Sequence, residues 1–279
     1  MPRLNTARRG AAGVVSAAVR YPGYTSVRSA CLLRPPPAVA LPAVVILCHG
    51  GDFCTGGIAA ALPVASALTC ALNAVVMTPD YTLAGERPFP AAVEDAYAAA
   101  VWARVHAAQG RWNADCMVVI GEEAGGNLAA AVALMARDRG GPALRAQVLI
   151  SPMLDPTLTS GSMRDADGAA AHSIDCCAAA YRRYLPAVAD HLHPYAAPAH
   201  CSRLSGVAPA LIVTAASDPL RDEAQAYATA LAAAGVHAIS TRVTRVNNSD
   251  CGWTAPVMAA IRTFLLSRIH CSRHTHNHR

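Results

Sequence analysis

Gly121-Glu-Glu-Ala-Gly-Gly-Asn127 follows an apolar run, Asp115-Cys-Met-Val-Val-Ile120, and precedes an Ala-rich stretch with helical spacing. A strand, a glycine-rich turn and a helix in that order lift one side chain, Glu123, to the N-terminus of the helix. Backbone N–H groups gather there and favour negative charge. The glycines have a steric task, because neighbours of a strained elbow residue must lack side chains. Alone, G-x-x-x-G is a weak signal. His49-Gly-Gly-Asp-Phe53 adds to it: this turn also follows a buried strand and lies upstream of the elbow. Asp218 comes directly after a later strand, and Asn247-Asn-Ser-Asp-Cys251-Gly-Trp253 follows the last one. Gathered at one place, these groups could exchange protons between carboxylates, attack through Glu123, or attack through the Cys251 thiol. A carboxylate is a poor nucleophile toward an ester carbonyl. A thiol among Asp250, Asp218 and Glu123 is disfavoured as thiolate, so an inert small residue is the preferred reading of Cys251. Cys54 is read the same way.

The elements that must position these residues alternate. The continuous apolar run at 43–48 reads as a strand buried on both faces, 73–78 reads as the next buried strand, and 115–120, 146–151, 210–215 and 237–243 read as further strands. A further strand is read at 24–34, before the Pro-rich turn Arg34-Pro-Pro-Pro37. Helical stretches are read at 58–72, 90–108, 126–137, 173–184, 221–234 and 254–268. Strands alternating with helices predict a mostly parallel sheet of about eight strands, one antiparallel strand near the N-terminus, and helices on both faces. Residues 155–205 break the rhythm with Asp, Ser, His and Pro. They are expected to pass above the C-terminal ends of the strands, where open α/β sheets bind ligands.

With His49-Gly-Gly-Asp-Phe53, Asp80-Tyr81, the elbow at 121–127 and Asp218-Pro-Leu-Arg-Asp-Glu223 in this order, the chain resembles the bacterial hormone-sensitive-lipase family of α/β-hydrolases. The resemblance covers roughly residues 20–268. It implies an α/β-hydrolase fold and a lipase or esterase ancestry. In that family the elbow reads GDSAGGN, so Glu123 stands at the Ser position. Asp218 matches the acid of the triad, and Cys251 stands where the family has its His. The oxyanion hole would be formed by the N–H groups of Gly51, Asp52 and Ala124. His49, Gly50, Phe53, Asp250 and Trp253 are expected around the binding site. Asp52 replaces a small residue, and its side chain is read equally well as turned into the hole or out to solvent. Against the family's N-terminal helical cap, residues 1–20 are expected to be a short segment or reduced cap, 21–268 the hydrolase domain with the excursion 155–205 over the pocket, and 269–279 a polar, His-rich tail.

Composition narrows the partners. Hydrophobic residues make up 53% and charged residues 15%, which excludes a disordered chain. All 23 basic residues are Arg, scattered rather than grouped, and the net charge is only +5, so nucleic acid is not expected. Ten cysteines occur without C-x-x-C pairs, which reads as reduced thiols with no metal site and no cofactor. No apolar run is long enough to span a membrane. Arg8-Arg9 before a weakly hydrophobic stretch has the outline of a twin-Arg export signal, but Arg20 follows at once, and a cytoplasmic location is expected.

Serine-route hydrolysis needs a hydroxyl nucleophile and an imidazole base. The resemblance therefore implies a catalytically impaired member that binds a small molecule or regulates, as the plant gibberellin receptors do, themselves similar to these esterases and lacking the triad His. The alternative is an active enzyme using Glu123 and Asp218 as acid and base on an ester-like substrate. With Asp52, Glu122, Glu123, Asp218 and Asp250 near one another, a cationic or neutral polar ligand is expected, and the open site leaves room for a homodimer. Glu123 is expected to fold its carboxylate onto the Gly51, Asp52 and Ala124 N–H groups.

Overall fold

The computed structural model describes residues 5–9, 13–36, 42–166, 173–247 and 252–269. Nine strands form one sheet among them: β1 Asn5–Arg9, β2 Val15–Pro22, β3 Val27–Arg34, β4 Ala43–Cys48, β5 Val75–Pro79, β6 Asn113–Glu122, β7 Leu144–Ile150, β8 Ala210–Ala215 and β9 Ala238–Val243. Their order is β1-β2-β3-β5-β4-β6-β7-β8-β9. The pairings from β5 through β4 to β9 are parallel, and β1–β2, β2–β3 and β3–β5 are antiparallel. The helices are α1 Ile58–Leu72, α2 Ala91–Val105, α3 Ala107–Gly110, α4 Ala124–Asp138, α5 Gly161–Arg164, α6 Ile174–Tyr184, α7 Arg221–Ala233 and α8 Ala255–Ile269.

The central strands show why continuous apolar runs mean burial on both faces. In β4, Val44, Ile46 and Cys48 join the core beneath α2 and α4, while Val45 and Leu47 join the core beneath α1 and α8. Side chains alternate across a strand, so both sets must be apolar when helices cover both faces. Alanine lets the helices approach closely. Every residue of α4 from Ala124 to Ala136 is buried, which a helix of larger side chains could not achieve at this spacing.

The N-terminal region departs from the expectation. Within the segment expected as a short or reduced cap, residues 5–9 lie in β1 and residues 15–20 in β2, at the edge of the sheet. Val15–Pro22 alternates half-buried or exposed with buried positions, a one-sided pattern that its Ala and Val residues do not announce by themselves. More than one strand therefore runs antiparallel. Pro90 sits just before α2 rather than inside it. Among the described residues of 155–205 are α5, α6 and two short 3-10 turns, and Tyr181 and Tyr184 of α6 pack against Phe53 of the 49–55 loop. No helix of the described residues is long and apolar enough to cross a membrane.

Candidate functional site

β6 ends at Glu122 and α4 begins at Ala124, so Glu123 alone makes the turn, with φ 52° and ψ −118°. That conformation is costly for a residue with a Cβ, and it persists only when the surroundings fix it. Here they do: Glu123 N–H donates to Ile150 O at 3.0 Å, and Glu123 O accepts from Asn127 N–H and Met153 N–H, each at 3.1 Å. The glycines make room. A Cβ at Gly121 would collide with the Gly125 carbonyl, and one at Gly125 would collide with the carbonyls of Cys48 and His49. The elbow is thus pressed directly against the end of β4, where the loop from His49, expected from the sequence to be the oxyanion loop, starts.

That loop is strained as well. Gly51 has φ 112°, and Asp52 and Phe53 have φ 54° and 61°. The turn is closed by Cys54 N–H and Thr55 N–H, both donating to Gly51 O at 2.9 Å. Gly51 N–H points the other way and donates to Glu123 Oε2 at 3.1 Å. A Cβ on Gly50 would lie 2.8 Å from the same carboxylate oxygen. Ala124, the third expected donor, is the first residue of α4. Asp52 lies between Gly51 and the buried Phe53, and its charge acts on the Cys177 thiol of α6.

His49 and Phe53 serve as frame. The His49 ring stacks on Tyr81 with centroids 4.2 Å apart, and its Nδ1 lies 2.7 Å from Gly50 O. Burial holds His49 toward its neutral form. Tyr81 Oη donates to His49 O at 2.8 Å, which ties the Asp80-Tyr81 turn to the oxyanion loop. Phe53 is fully buried and stacks on Tyr184 with centroids 3.9 Å apart. Neither residue was read from the sequence as scaffold, because an HGG turn without coordinates does not say which way its ring points.

Asp218 lies after β8 and is buried. Its Oδ2 accepts from the Ser151 hydroxyl, and Oδ1 accepts from Leu220 N–H at 2.9 Å. Ser151 was not singled out from the sequence. Its φ of 42° at the end of β7 is the signal, and only the backbone shows it. Glu223, also missed, is buried in α7, where Leu154 N–H donates to Oε1 at 2.6 Å and Oε2 has no partner. Burial, with the charges of Asp155 and Asp218 adding, pushes its carboxyl up to about 8.

Glu122 turns away from Glu123. Its Oε1 accepts from Asn247 Nδ2 at 2.6 Å and its Oε2 from Trp253 Nε1 at 2.8 Å. Cys251 and Asp250 lie outside the described residues, as does the tail from 270 onward. Beside the elbow and against α1 is a solvent-accessible cavity of about 430 Å³, whose walls include Gly51, Val64, Glu122, Glu123, Asn247 and Trp253. The structure thus brings Glu123, Gly51, Glu122 and Trp253 to one cavity. It keeps Phe53 in the core. Among the described residues no three His, Cys, Asp or Glu side chains are grouped to hold a metal ion.

Residues 45–247 match the family model of the α/β-hydrolase fold. The chain is 38% identical over 222 residues to the carboxylesterase NlhH of Mycobacterium tuberculosis, covering 78% of this chain and 69% of that protein. It is 38% identical over 204 residues to the esterase LipI of the same organism, covering 72% and 63%. Among solved structures, a thermostable esterase from Pseudomonas putida superposes with a TM-score of 0.85 at 28% identity, over 95% of this chain and 86% of that one. A hyperthermophilic esterase from Pyrobaculum calidifontis gives 0.80 at 33% identity, over 95% and 84%.

Proposed function

Because the chain belongs to the hormone-sensitive-lipase-like esterases of the α/β-hydrolase family, we propose that it keeps the family's binding scaffold while its serine route to ester hydrolysis is closed. One observation carries this reading: the side chain at the nucleophile position is a carboxylate, and Gly51 N–H donates to it at 3.1 Å. An oxyanion hole works by offering donors to charge that develops in the transition state. Here a donor of that loop already serves a resident anion. A charge-assisted hydrogen bond contributes roughly 1.5–3 kcal/mol, and a neutral ester carbonyl competes poorly with it. Glu123 cannot replace the missing hydroxyl, since a carboxylate attacks an acyl carbon weakly. The cavity walled by Glu122 and Glu123 then serves a cationic or neutral polar small molecule, and the protein acts as a binding or regulatory member of the family.

A second reading is favoured by the relatives, which carry the names of carboxylesterases and esterases. In it the chain turns over an ester-like substrate through Glu123 and Asp218. The hold of Ser151 and Leu220 on Asp218 supports this, because the acid is fixed in place.

One paired experiment separates the two. A panel of p-nitrophenyl esters is assayed beside a thermal-shift screen of amines and neutral polyols, with the unmodified protein, E123A and D218N. The first reading expects stabilisation by a ligand without turnover, and no hydrolysis in any of the three. It also expects E123S alone to stay inactive and E123S with C251H to gain hydrolysis. Turnover by the unmodified protein that is lost in E123A establishes the second reading instead.

A further inference from the structure

Glu122 enters the first reading only as a wall of the cavity, yet among the described residues its carboxylate makes two of the longest-range side-chain hydrogen bonds in the fold. Oε1 accepts from Asn247 Nδ2 at 2.6 Å and Oε2 from Trp253 Nε1 at 2.8 Å, across 125 and 131 residues of sequence. Asn247 and Trp253 also pair as an isolated antiparallel bridge. Thr254 N–H donates to Val246 O at 2.8 Å, and Thr254 Oγ1 donates to Arg245 O at 2.8 Å, so the connection between β9 and α8 is zipped at its base. Glu122 itself is fixed by register, since it pairs with Ile150 across β6 and β7. One carboxylate on the rigid centre of the sheet therefore grips both ends of the segment that contains position 251.

All three residues line the cavity beside the elbow. We propose that Glu122 is a positioning residue, which holds the Trp253 indole as one wall of that cavity and sets the spacing between Asn247 and Trp253. The geometry demands a two-oxygen acceptor at this point. Alanine offers none. Glutamine offers one uncharged oxygen and an N–H₂ group that cannot accept from Asn247. Two charge-assisted bonds to donors on one loop give orientation as well as attachment, because losing either lets the other pivot. The role follows from contacts alone, so it holds whether or not the protein turns over an ester, and its failure would leave both functional readings standing.

The test is NMR of the full chain labelled with 15N-tryptophan, which has three indole N–H signals, from Trp102, Trp112 and Trp253. W253F assigns the Trp253 signal. Trp112 is the internal control, because its Nε1 donates to Ala103 O at 2.9 Å in the core, far from the elbow. In the unmodified protein the Trp253 indole proton should lie downfield. In E122A it should move upfield and exchange with solvent at least about tenfold faster, while the Trp112 signal stays put. E122Q, nearly isosteric, should fall between the two, and it carries the test alone if E122A does not fold. The assignment is overturned if the Trp253 signal in E122A or E122Q keeps its position and exchanges within twofold of the unmodified rate. It is equally overturned if all three indole signals change together in E122Q, since that marks a general loss of stability rather than a local hold.

Discussion

The elbow has two flanks, and they are built on opposite plans. On the α6 flank, Phe53, Cys177, Tyr181 and Tyr184 are packed with almost no exposure. That flank buries polar atoms without partners: the hydroxyls of Tyr181 and Tyr184, and Glu223 Oε2. Burial, helped by the charges of Glu223 and Asp52, pushes the Cys177 thiol up to about 12, so it stays protonated and unreactive. On the α1 flank, by contrast, there is open space of about 430 Å³, and the carboxylates that line it are engaged. The difference is one of currency between packing and polarity. A flank held by apolar contact tolerates orphaned polar atoms because the surrounding burial outweighs them. A flank exposed to solvent keeps its walls only through directed hydrogen bonds.

The frame common to both flanks is where the largest effect is expected. Gly121→Ala would drive a Cβ into the Gly125 carbonyl, where backbone meets backbone and no rotamer offers relief. The loss should exceed about 5 kcal/mol, and the protein should not be recovered folded. Circular dichroism of the purified variant checks it. A G121A protein melting within about 3 °C of the parent would mean that the elbow is looser than its contacts imply.

The next effect belongs to the α6 flank and depends on pH. The Glu223 carboxyl is raised from 4.5 to about 8 in the folded protein. Between those values the folded state binds the proton more tightly than the unfolded state does. The stability it contributes is therefore complete below about pH 4.5 and is lost as pH rises toward 8. Glu223→Gln keeps the shape, and its side-chain oxygen can still accept from Leu154 N–H, but it cannot ionise. The variant should match the parent near pH 4 and exceed it at pH 9 by up to about 5 kcal/mol. Urea midpoints measured across that range decide it. Parallel curves for the two proteins would show that Glu223 is not the group responsible.

How much of this was legible in the sequence follows from which residues carry which information. The strand and helix read at 115–137 were legible because Cys116-Met-Val-Val-Ile120 is apolar without a break and the glycines of 121–126 interrupt it at once. The positions of Glu123 and Asp218 after β6 and β8 were readable for the same reason. β2 was not, since Ala and Val at alternating positions are ambiguous over eight residues unless a partner strand is known. The direction of Glu122 was also hidden. Its partners lie more than a hundred residues away, and nothing in Asn247 or Trp253 announces a carboxylate. Ser151 was missed because a single polar residue in an apolar run looks the same whether it is buried or exposed, and Glu223 because it stands in the polar stretch Arg221-Asp-Glu-Ala-Gln225, which reads as a solvated helix start. The general lesson is that period and punctuation reveal backbone, whereas the orientation of a lone polar side chain is settled only by what folds against it.

The smallest effect gives the finest contrast between the flanks. Tyr184 is fully buried, its ring stacks on Phe53, and its carbonyl accepts from Phe89 N–H at 2.9 Å. Its hydroxyl has no partner. Tyr184→Phe keeps the ring, the stacking and the backbone bond, and removes only the orphaned group. An unpartnered buried hydroxyl costs of the order of 1–3 kcal/mol against water, part of which is recovered as dispersion in the packed site. The variant should therefore gain about 1 kcal/mol, seen as a rise of roughly 2–4 °C in Tm. On the α1 flank the matching conservative change, Glu122→Gln, should lower stability, because there a polar group is removed from partners that remain. Opposite signs for two equally mild substitutions are what the two plans require. If Y184F instead loses more than about 1 kcal/mol, the hydroxyl is held by a bound water and the α6 flank is organised by polar contacts after all.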